Sequence, residues 1–383
     1  MSIRVGVMFG GKSTEHEVSI TSAYAVIKNL QKHTSMDVTP IYIAKNGQRY
    51  SDDSLNDLKT YKQFSLPARP VSLDLQQDHK LHLKIQSQGL LGRLSKDIEI
   101  TLDVIFLVFH GKHGEDGSIE GMLEFLEIPY VGPSVLGSAT TIDKRITKDI
   151  LIAHGFPAIP YQSYTKKTWN PTRVQETFMY PIFVKPYNLG SSIGVSKCFN
   201  YDELLQAADV GFYFSNEIIV EPSIENALEL SCSVMYHDWE IITTEIQQPL
   251  SQDAFLTFDQ KYIVEKWGWG MMSWAENKVI VPAPLNADTT QRIKQMTKDL
   301  FEIFRLSWAP RIDYLYQPDT QHLYIIELNS IPGAMQMYLR EQSWIPPKTF
   351  LESLIHTALQ RKYDDTSIEF NSSILDNTIS FAK

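Results

Sequence analysis

The sequence contains very little cysteine. Only Cys198 and Cys232 occur among its 383 residues, and they form no CxxC pair. A disulfide framework and a zinc site of the usual spacing are therefore not supported. This sparing use of cysteine fits a protein of the reducing cytoplasm, which is the location we expect.

Long apolar runs and an excess of basic charge are also missing. No run of about 18 apolar residues occurs, so no membrane-spanning helix is expected. The amino terminus lacks a basic segment followed by an apolar core, so we expect no signal peptide. Lys and Arg number 35 against 45 Asp and Glu, a net charge of -10. Binding along nucleic acid needs a basic surface, and no nucleic-acid partner is expected.

The length and the pattern of elements indicate an α/β protein with several subdomains. A chain of 383 residues exceeds what one hydrophobic core usually supports. A helix is predicted over residues 139–154, and the following linker at 155–160 contains two prolines, which places a domain boundary nearby. Residues 51–99 are polar and irregular, and we interpret them as a variable insertion.

The most informative stretch is residues 311–333, RIDYLYQPDTQHLYIIELNSIPG. Residues 311–316 and 322–329 are rich in β-branched and aromatic side chains, which predicts a hairpin. Strand alternation then places Asp313, Glu327 and Asn329 on one face. Such an oxygen-only set suits Mg²⁺, although outward, solvated acids are an alternative. The abrupt turn after Asn329 favours a binding loop.

Two glycine turns follow buried strands. Residues 3–9 run into Gly10 and Gly11, and residues 104–109 run into HGKHGEDG. Ligands of open α/β sheets bind beyond the carboxyl ends of strands, which is where both turns fall. Glu15 is a candidate partner for a substrate ammonium group, or else an acid that complements the dipole of the next helix. His110 is a site candidate too, with a structural role as the alternative.

A third candidate loop carries a lysine into small residues. Lys185 ends a predicted strand and is followed by YNLGSSIG. Free N–H groups in such a loop suit a polyphosphate, and a plain solvent loop is the alternative. Residues 253–274 are polar and aromatic, and we predict that they form a lid.

Several ordered motifs together resemble the D-alanine:D-alanine ligases of the ATP-grasp superfamily. They are FGGKSTEHEVS, FHGKHGEDGSIEGMLE, IPYVGPSVLGSATTIDK, FVKPYNLGSSIGVSK, DQKYI and RIDY with IELNSIPG. The resemblance implies an α/β ATP-grasp fold of three α/β subdomains, with the nucleotide between the second and third. We expect an N-terminal domain at 1–138, a central subdomain at 139–225 and a C-terminal subdomain with metal site and lid at 226–383.

The resemblance also implies an activity. ATP would phosphorylate the carboxylate of one D-alanine, and the amine of a second D-alanine would capture the acyl phosphate, for cell-wall peptidoglycan precursors. It implies two Mg²⁺ ions, with Mn²⁺ as a possible replacement, small amino-acid substrates and a homodimer.

The resemblance assigns roles to individual residues. ATP contacts are implied for Lys144, Lys185, Glu221, Glu229 and Lys261. Metal ligation is implied for Asp313, Glu327 and Asn329. Catalytic or substrate-binding roles are implied for Glu15, His110, Ser191, Tyr262, Arg311, Gly333, Tyr338 and Leu339. Within these groups, Arg311 would stabilise the transferring phosphoryl group and the backbone of Gly333 would help to form the oxyanion site.

The chain departs from the family pattern in three places. The segment between Glu221 and Glu229 is one residue longer, which weakens the assignment of Glu229. The lid carries a tryptophan-rich insertion. After Gly333, where the family has a threonine and a serine for the second substrate, this chain has AMQMYLR. A ligase that uses a different second substrate therefore remains an alternative, and a non-catalytic nucleotide-binding regulator is a minor one.

Overall fold

The computed structural model describes residues 2–62, 68–75, 78–85, 98–238, 240–250 and 279–366. Its first eight strands are β1 Arg4–Gly10, β2 Asp37–Ile43, β3 Arg49–Ser51, β4 Arg69–Leu75, β5 Leu81–Ile85, β6 Ile98–Leu102, β7 Val104–Val108 and β8 Tyr130–Val131. The other strands are β9 Gln162–Thr165, β10 Ile182–Pro186, β11 Ser196–Cys198, β12 Glu217–Pro222, β13 Leu228–His237, β14 Glu240–Thr243, β15 Gln248–Pro249, β16 Val279–Ile280, β17 Arg311–Gln317 and β18 His322–Asn329.

The α-helices are α1 His16–His33, α2 Ser118–Phe125, α3 Val135–Ile142, α4 Lys144–Ala153, α5 Pro171–Thr177, α6 Tyr201–Phe214, α7 Ala287–Ile303, α8 Met337–Gln342 and α9 Pro347–Thr366. Short 3-10 helices occupy Asp53–Asn56, Leu58–Lys62 and Gly333–Gln336. In the part of the chain given above, no helix is both long and apolar enough to cross a bilayer.

The first sheet has the strand order β6-β5-β4-β3-β2-β1-β7-β8. β1 pairs in parallel with β2 and β7, so the loops after β1 and β7 leave from the same edge. The turn after β1 requires glycine, because Gly10 has a φ of 96° and a Cβ there would lie 2.3 Å from the Ile43 carbonyl oxygen. The parallel pairing brings the two predicted glycine turns side by side.

Our interpretation of residues 51–99 as an irregular insertion is wrong for much of that segment. β4, β5 and β6 continue the first sheet by antiparallel pairing. Leu81, Leu83 and Ile85 are buried in a core cluster of that sheet. These strands have weak alternation of their own, and pairing along an existing sheet edge supplies the hydrogen bonds that a local pattern does not reveal.

The predicted single helix over 139–154 is also wrong, because it breaks at Asp143. The Asp143 carboxylate accepts hydrogen bonds from the backbone N–H groups of Arg145 and Ile146, at 3.0 and 3.1 Å. This is an N-cap, so α4 begins at Lys144 as a separate helix. The break places Lys144 on the first turn of α4 and turns it towards the neighbouring sheets.

Two four-stranded sheets follow, with the orders β11-β10-β12-β9 and β14-β13-β17-β18. The predicted hairpin is confirmed as β17 and β18, which pair antiparallel with Asp313 opposite Glu327 and Arg311 opposite Asn329. The subdomain boundaries after residues 138 and 225 stay predictions.

One hydrophobic core joins the first sheet to α9. It contains side chains from β1, α1 and β7 together with Trp308 and the apolar face of α9. The Phe106 and Trp308 rings meet edge to face with centroids 5.9 Å apart. This packing holds the loops after β1 and β7 against the segment that follows the hairpin.

Candidate active site

The acidic side chains of the two hairpin strands each pair with a basic side chain. The Arg311 guanidinium donates two hydrogen bonds to the Asp313 carboxylate, both of 2.6 Å. On the next strand Glu327 accepts a hydrogen bond of 3.0 Å from the Lys144 ammonium, which also donates to the Leu189 carbonyl oxygen at 2.6 Å. Four charged residues of the predicted phosphate and metal site therefore meet here: Arg311, Asp313, Glu327 and Lys144.

The oxygen donors at this point fit a hard divalent cation. Asp313, Glu327 and Asn329 are half-buried on neighbouring strands. Among the described residues no group of three or more His, Cys, Asp or Glu is placed to hold a metal ion. Two carboxylates and one amide oxygen leave coordination positions for phosphate oxygens and water, which is how Mg²⁺ is commonly held. Arg311 and Lys144 balance the two carboxylates within the chain itself.

A buried charge cluster lies beside this site. The Glu221 carboxylate, 2% exposed, accepts hydrogen bonds from the Lys185 and Lys148 ammonium groups. Lys148 lies 2.9 Å from Glu221 and also donates to the Ile159 carbonyl oxygen at 3.1 Å. Burial alone raises the pKa of Glu221, but the two lysines hold it at about 2. The same burial lowers the pKa of Lys148.

Lys148 is a residue that sequence reasoning missed. It follows Lys144 by one helical turn on α4, so the two side chains lie on the same face. That spacing was a usable signal. Its buried partner, Glu221, could not be identified from the sequence, because β12 reaches this position only by pairing with β10 in the folded sheet.

Glu15 is buried at the carboxyl edge of the first sheet. Its carboxylate is 3% exposed and accepts a hydrogen bond from the Ser191 hydroxyl, while its Oε2 atom has no partner. Burial raises the pKa of Glu15 to about 7, with Glu115 adding to the effect. A carboxylate with one free buried oxygen is suited to a cationic ligand. The structure thus brings the predicted Glu15 and Ser191 together.

His110 is also buried and connects the loop after β7 with α1. Its Nδ1 atom lies 3.3 Å from Glu115 and its Nε2 atom 3.0 Å from the Ser22 hydroxyl. Ser22 in turn accepts a hydrogen bond of 3.1 Å from the backbone N–H of Ala334. His110 is therefore tied to the loop directly after Gly333, and Ser22 is a second residue that the sequence reasoning missed.

The backbone after Gly333 adopts an unusual conformation. Ala334, Met335 and Gln336 all have positive φ, at 47, 54 and 47°. Consecutive left-handed residues without glycine are strained and persist only where their surroundings hold them. The Gln336 side chain accepts a hydrogen bond of 2.9 Å from Ser233 on β13. A side chain at Gly333 would meet nothing within 4 Å, so the space beside that residue is open.

In the altered segment, Tyr338 reaches the polar face of the sheet beside Gln336. Its hydroxyl donates a 2.5 Å hydrogen bond to the Gln247 amide oxygen. Burial raises the pKa of Tyr338, and the nearby Arg311 partly offsets this. The side chain of Leu339 is fully buried, so a role in substrate binding is left to its backbone.

Arg340 points into the core rather than towards the site. It is 1% exposed, donates to the Met335 and Ala309 carbonyl oxygens at 3.3 and 3.1 Å, and lies 4.2 Å from the centre of the Phe350 ring. Burial lowers its pKa to about 9. It does not replace the serine that the family carries in this segment.

Of the four other predicted features, the structure describes only Glu229. Lys261 and Tyr262 lie outside the described residues, as does the predicted lid at 253–274. Glu229 is half-buried on β13 opposite Leu315.

Comparisons with known proteins place this site in a family. The family model described as D-ala D-ala ligase C-terminus matches residues 150–360, and the one described as D-ala D-ala ligase N-terminus matches residues 4–133. The chain belongs to the D-alanine:D-alanine ligase family. The resemblance drawn from the motifs is confirmed.

Curated members of the D-alanine:D-alanine ligase family align along almost the whole chain. The D-alanine–D-alanine ligase of Caldicellulosiruptor bescii is 34% identical over 96% of this chain and 98% of its own. That of Thermosipho africanus is 35% identical over 95% of both chains.

Solved structures of the D-alanine:D-alanine ligase family have the same fold. The enzyme from Coxiella burnetii superposes with a TM-score of 0.77 at 24% identity, covering 96% of each chain. The D-Ala:D-Ser ligase VanG of Enterococcus faecalis superposes with a TM-score of 0.75 at 26% identity, covering 94% of this chain and all of its own. The predicted ATP-grasp fold is confirmed.

Proposed function

We propose that the chain is an ATP-dependent D-alanine–D-alanine ligase that forms a dipeptide with release of ADP and phosphate. Membership of the family along nearly the whole chain supports the reaction class. The observation that carries the proposal is the meeting of Lys144 and Arg311 with the facing carboxylates of Glu327 and Asp313. These are the charges that a transferring phosphoryl group and its metal ions require.

The nucleotide lies, in this proposal, between the central and C-terminal sheets. The ammonium groups of Lys144 and Lys185 contact its phosphates, exchanging their present carboxylate partners for phosphate oxygens. Glu221 and Glu229 hold the adenine and ribose, with Lys261 as a further contact. Because Lys148 also pairs with Glu221, that carboxylate keeps a counter-charge when Lys185 turns to the phosphates.

Asp313, Glu327 and Asn329 hold the divalent cations, for which we propose two Mg²⁺, replaceable by Mn²⁺. Bound ions would supply positive charge to the phosphate groups of ATP. Arg311 and Lys144, which pair with the same carboxylates, would then be available to the substrates.

Activation of the first D-alanine comes next. Its ammonium group pairs with the free Oε2 atom of Glu15, oriented by Ser191, while His110 lines the same side. An oxygen of the D-alanine carboxylate then attacks the γ-phosphorus of ATP. The bond between the γ-phosphorus and the bridging oxygen of the β-phosphate breaks, and ADP leaves. The product is an acyl phosphate, which the chain must keep from water. We assign the exclusion of water from the acyl phosphate to Tyr262 and the 253–274 segment.

Amide formation follows at the acyl carbon. The neutral amine of the second D-alanine attacks that carbon, the carbon–oxygen bond to phosphate breaks, and the amine proton leaves with the phosphate. Charge on the tetrahedral oxygen is stabilised by Arg311 and by the backbone N–H of Gly333, beside which the structure is open. Tyr338 and the backbone of Leu339 border the second substrate.

The product places the enzyme among those that supply D-alanyl-D-alanine to cell-wall peptidoglycan precursors. We propose a cytoplasmic homodimer that acts on small amino acids and on neither nucleic acid nor membranes.

A direct assay tests the proposal. Purified protein with ATP, Mg²⁺ and D-alanine alone should release ADP and phosphate in equal amounts with one dipeptide per ADP, identified by mass spectrometry. L-alanine serves as the matched control and should give little turnover. ADP release that depends on a mixture of amino acids, with no D-alanine dipeptide, would contradict the proposed second substrate.

A further inference from the structure

The polar face of the hairpin extends beyond the metal site. Cross-strand partners in a sheet project to the same face. Glu327 is opposite Asp313, Asp313 is opposite Ser231 on β13, and Ser231 forms a bridge with Gln247. These four side chains therefore form one polar row across the sheet, of which only the two acids have a role so far.

Two members of the row have unused hydrogen-bonding capacity. Ser231 is 5% exposed and its hydroxyl oxygen is buried without a partner. Gln247 is also 5% exposed, and its amide oxygen accepts the Tyr338 hydroxyl proton. That contact assigns the orientation of the amide and leaves its NH₂ group as a donor. Within the described ranges no side chain or carbonyl accepts from that NH₂ group.

The backbone holds both residues rigidly. Ser231 and Gln247 exchange two hydrogen bonds of 2.9 Å between their N–H and carbonyl groups. The Tyr338 hydroxyl contacts Gln247 from α8, and Ser233 donates a hydrogen bond to Gln336 two residues earlier in the same segment. A buried hydroxyl without a partner, such as that of Ser231, is rare. Beside the NH₂ donor of Gln247, it marks a binding position for an acceptor group.

We infer that Gln247 and Ser231 bind the carboxylate of the second amino acid. The inference rests on the proposed function. The attacking amine and the carboxylate of an amino acid are separated by one carbon, so the carboxylate must lie close to Arg311 and the Gly333 loop. Tyr338 stands where the family has a serine in that loop, and its hydroxyl donates its hydrogen bond to the Gln247 amide oxygen. The amide NH₂ group and the Ser231 hydroxyl supply the missing neutral donors.

The alternative candidate for this role is Arg340, and its geometry excludes it. Its guanidinium donates from Nε and Nη2 to two carbonyl oxygens and packs on the Phe350 ring, and its third nitrogen, Nη1, is buried without a partner in the same core position. Tyr338 is then a positioning residue, because it acts on the substrate through the Gln247 amide.

The test separates the two half-reactions. Exchange of a heavy-oxygen label out of the β,γ bridge of ATP at low D-alanine reports formation of the acyl phosphate alone. The dependence of dipeptide formation on D-alanine, fitted with two Michaelis constants, reports binding of the second amino acid.

Gln247→Leu should raise the second Michaelis constant about 10- to 100-fold, since a hydrogen bond to a charged group is lost. Label exchange should stay within about twofold, which a merely structural defect would not allow. Ser231→Ala should have a smaller effect in the same direction. Gln248→Leu is the matched control, because the neighbouring residue of a strand segment projects to the opposite face. It should leave both readings unchanged.

If Gln247→Leu does not fold, Gln247→Glu replaces it in the test. This variant retains an acceptor for Tyr338 and places a negative charge beside the substrate carboxylate. It should raise the second constant further. Tyr338→Ser in the Gln247→Leu background should restore part of the affinity by supplying a short hydroxyl donor.

The inference is overturned if wild-type enzyme turns over and Gln247→Leu leaves the second constant unchanged. It is also overturned if Gln248→Leu raises that constant equally, or if label exchange falls in proportion. A wild-type protein that releases no ADP with any amino acid would overturn the proposed function, and this assignment with it.

Discussion

The Lys144 ammonium and the Glu327 carboxylate lie 3.0 Å apart although 183 positions separate them in the chain. The first begins α4 and the second is on β18, so their contact closes the space between the central and C-terminal sheets. In the proposed reaction this contact is exchanged for one with ATP phosphate.

Replacement of Lys144 tests that exchange. Lys144→Met should lower kcat/KM for ATP by about 10²-fold or more, because a charge-assisted contact to phosphate is lost. Initial rates of ADP release against ATP concentration give the value. The exposed Lys167 provides the control, and Lys167→Met should match the wild type. An unchanged ATP dependence in Lys144→Met would remove the residue from the nucleotide site.

The metal assignment makes a separate prediction. Glu327→Gln keeps the shape of the side chain and removes its charge, so turnover should fall by at least about 10²-fold and need more Mg²⁺ for half-maximal rate. Rates measured across a Mg²⁺ titration, with circular dichroism to confirm the fold, provide the check. The exposed Glu240 on β14 is the control position. Full activity of Glu327→Gln at low Mg²⁺ would be incompatible with ligation by this carboxylate.

Lys148 should contribute to stability and to nucleotide binding together. Lys148→Met leaves Glu221 buried with Lys185 alone, which should lower the free energy of unfolding by about 1–3 kcal/mol and raise KM for ATP. Urea denaturation of single and double variants measures this.

In that series the Lys148→Met/Glu221→Gln double variant should lose less stability than the two single variants added together, since the charges interact directly. Strict additivity would show that the ion pair seen between Lys148 and Glu221 contributes nothing.

The hairpin and its oxygen donors were predictable because strand alternation and turn composition are local properties. The N-cap at Asp143 was local too, and its two hydrogen bonds correspond to a pattern that the sequence contained. The roles of Ser22 and Gln247 were not predictable, since each depends on a partner from a distant element. Lys148 had a local signal in its spacing from Lys144, but its partner Glu221 lies on a distant strand. Pairing of β4 with β3 and β5 likewise depends on a sheet edge that the sequence does not display.

Glu15 predicts how activity depends on pH. Burial raises its pKa to about 7, and only the carboxylate form binds an ammonium group. The value of kcat/KM for the first amino acid should therefore fall as pH drops below about 7, approaching a tenfold loss per pH unit. Steady-state rates between pH 5 and 9 measure the profile.

The same group affects folding with a definite sign. Its pKa is above the unfolded value of 4.5, so its contribution to stability is full below pH 4.5 and is lost as pH rises through about 7. Glu15→Gln should abolish the acidic limb of the activity profile. Its free energy of unfolding should also lack the part that falls between pH 5 and pH 8 through titration of Glu15. An acidic limb that persists in Glu15→Gln would assign the titration to another group.

The most direct test of the central claim is product formation from ATP, Mg²⁺ and D-alanine alone. ADP and phosphate should be released in equal amounts with one D-alanyl-D-alanine per ADP, despite Tyr338 in place of the family's serine. ATP binding without phosphate release in the presence of D-alanine would contradict the central claim.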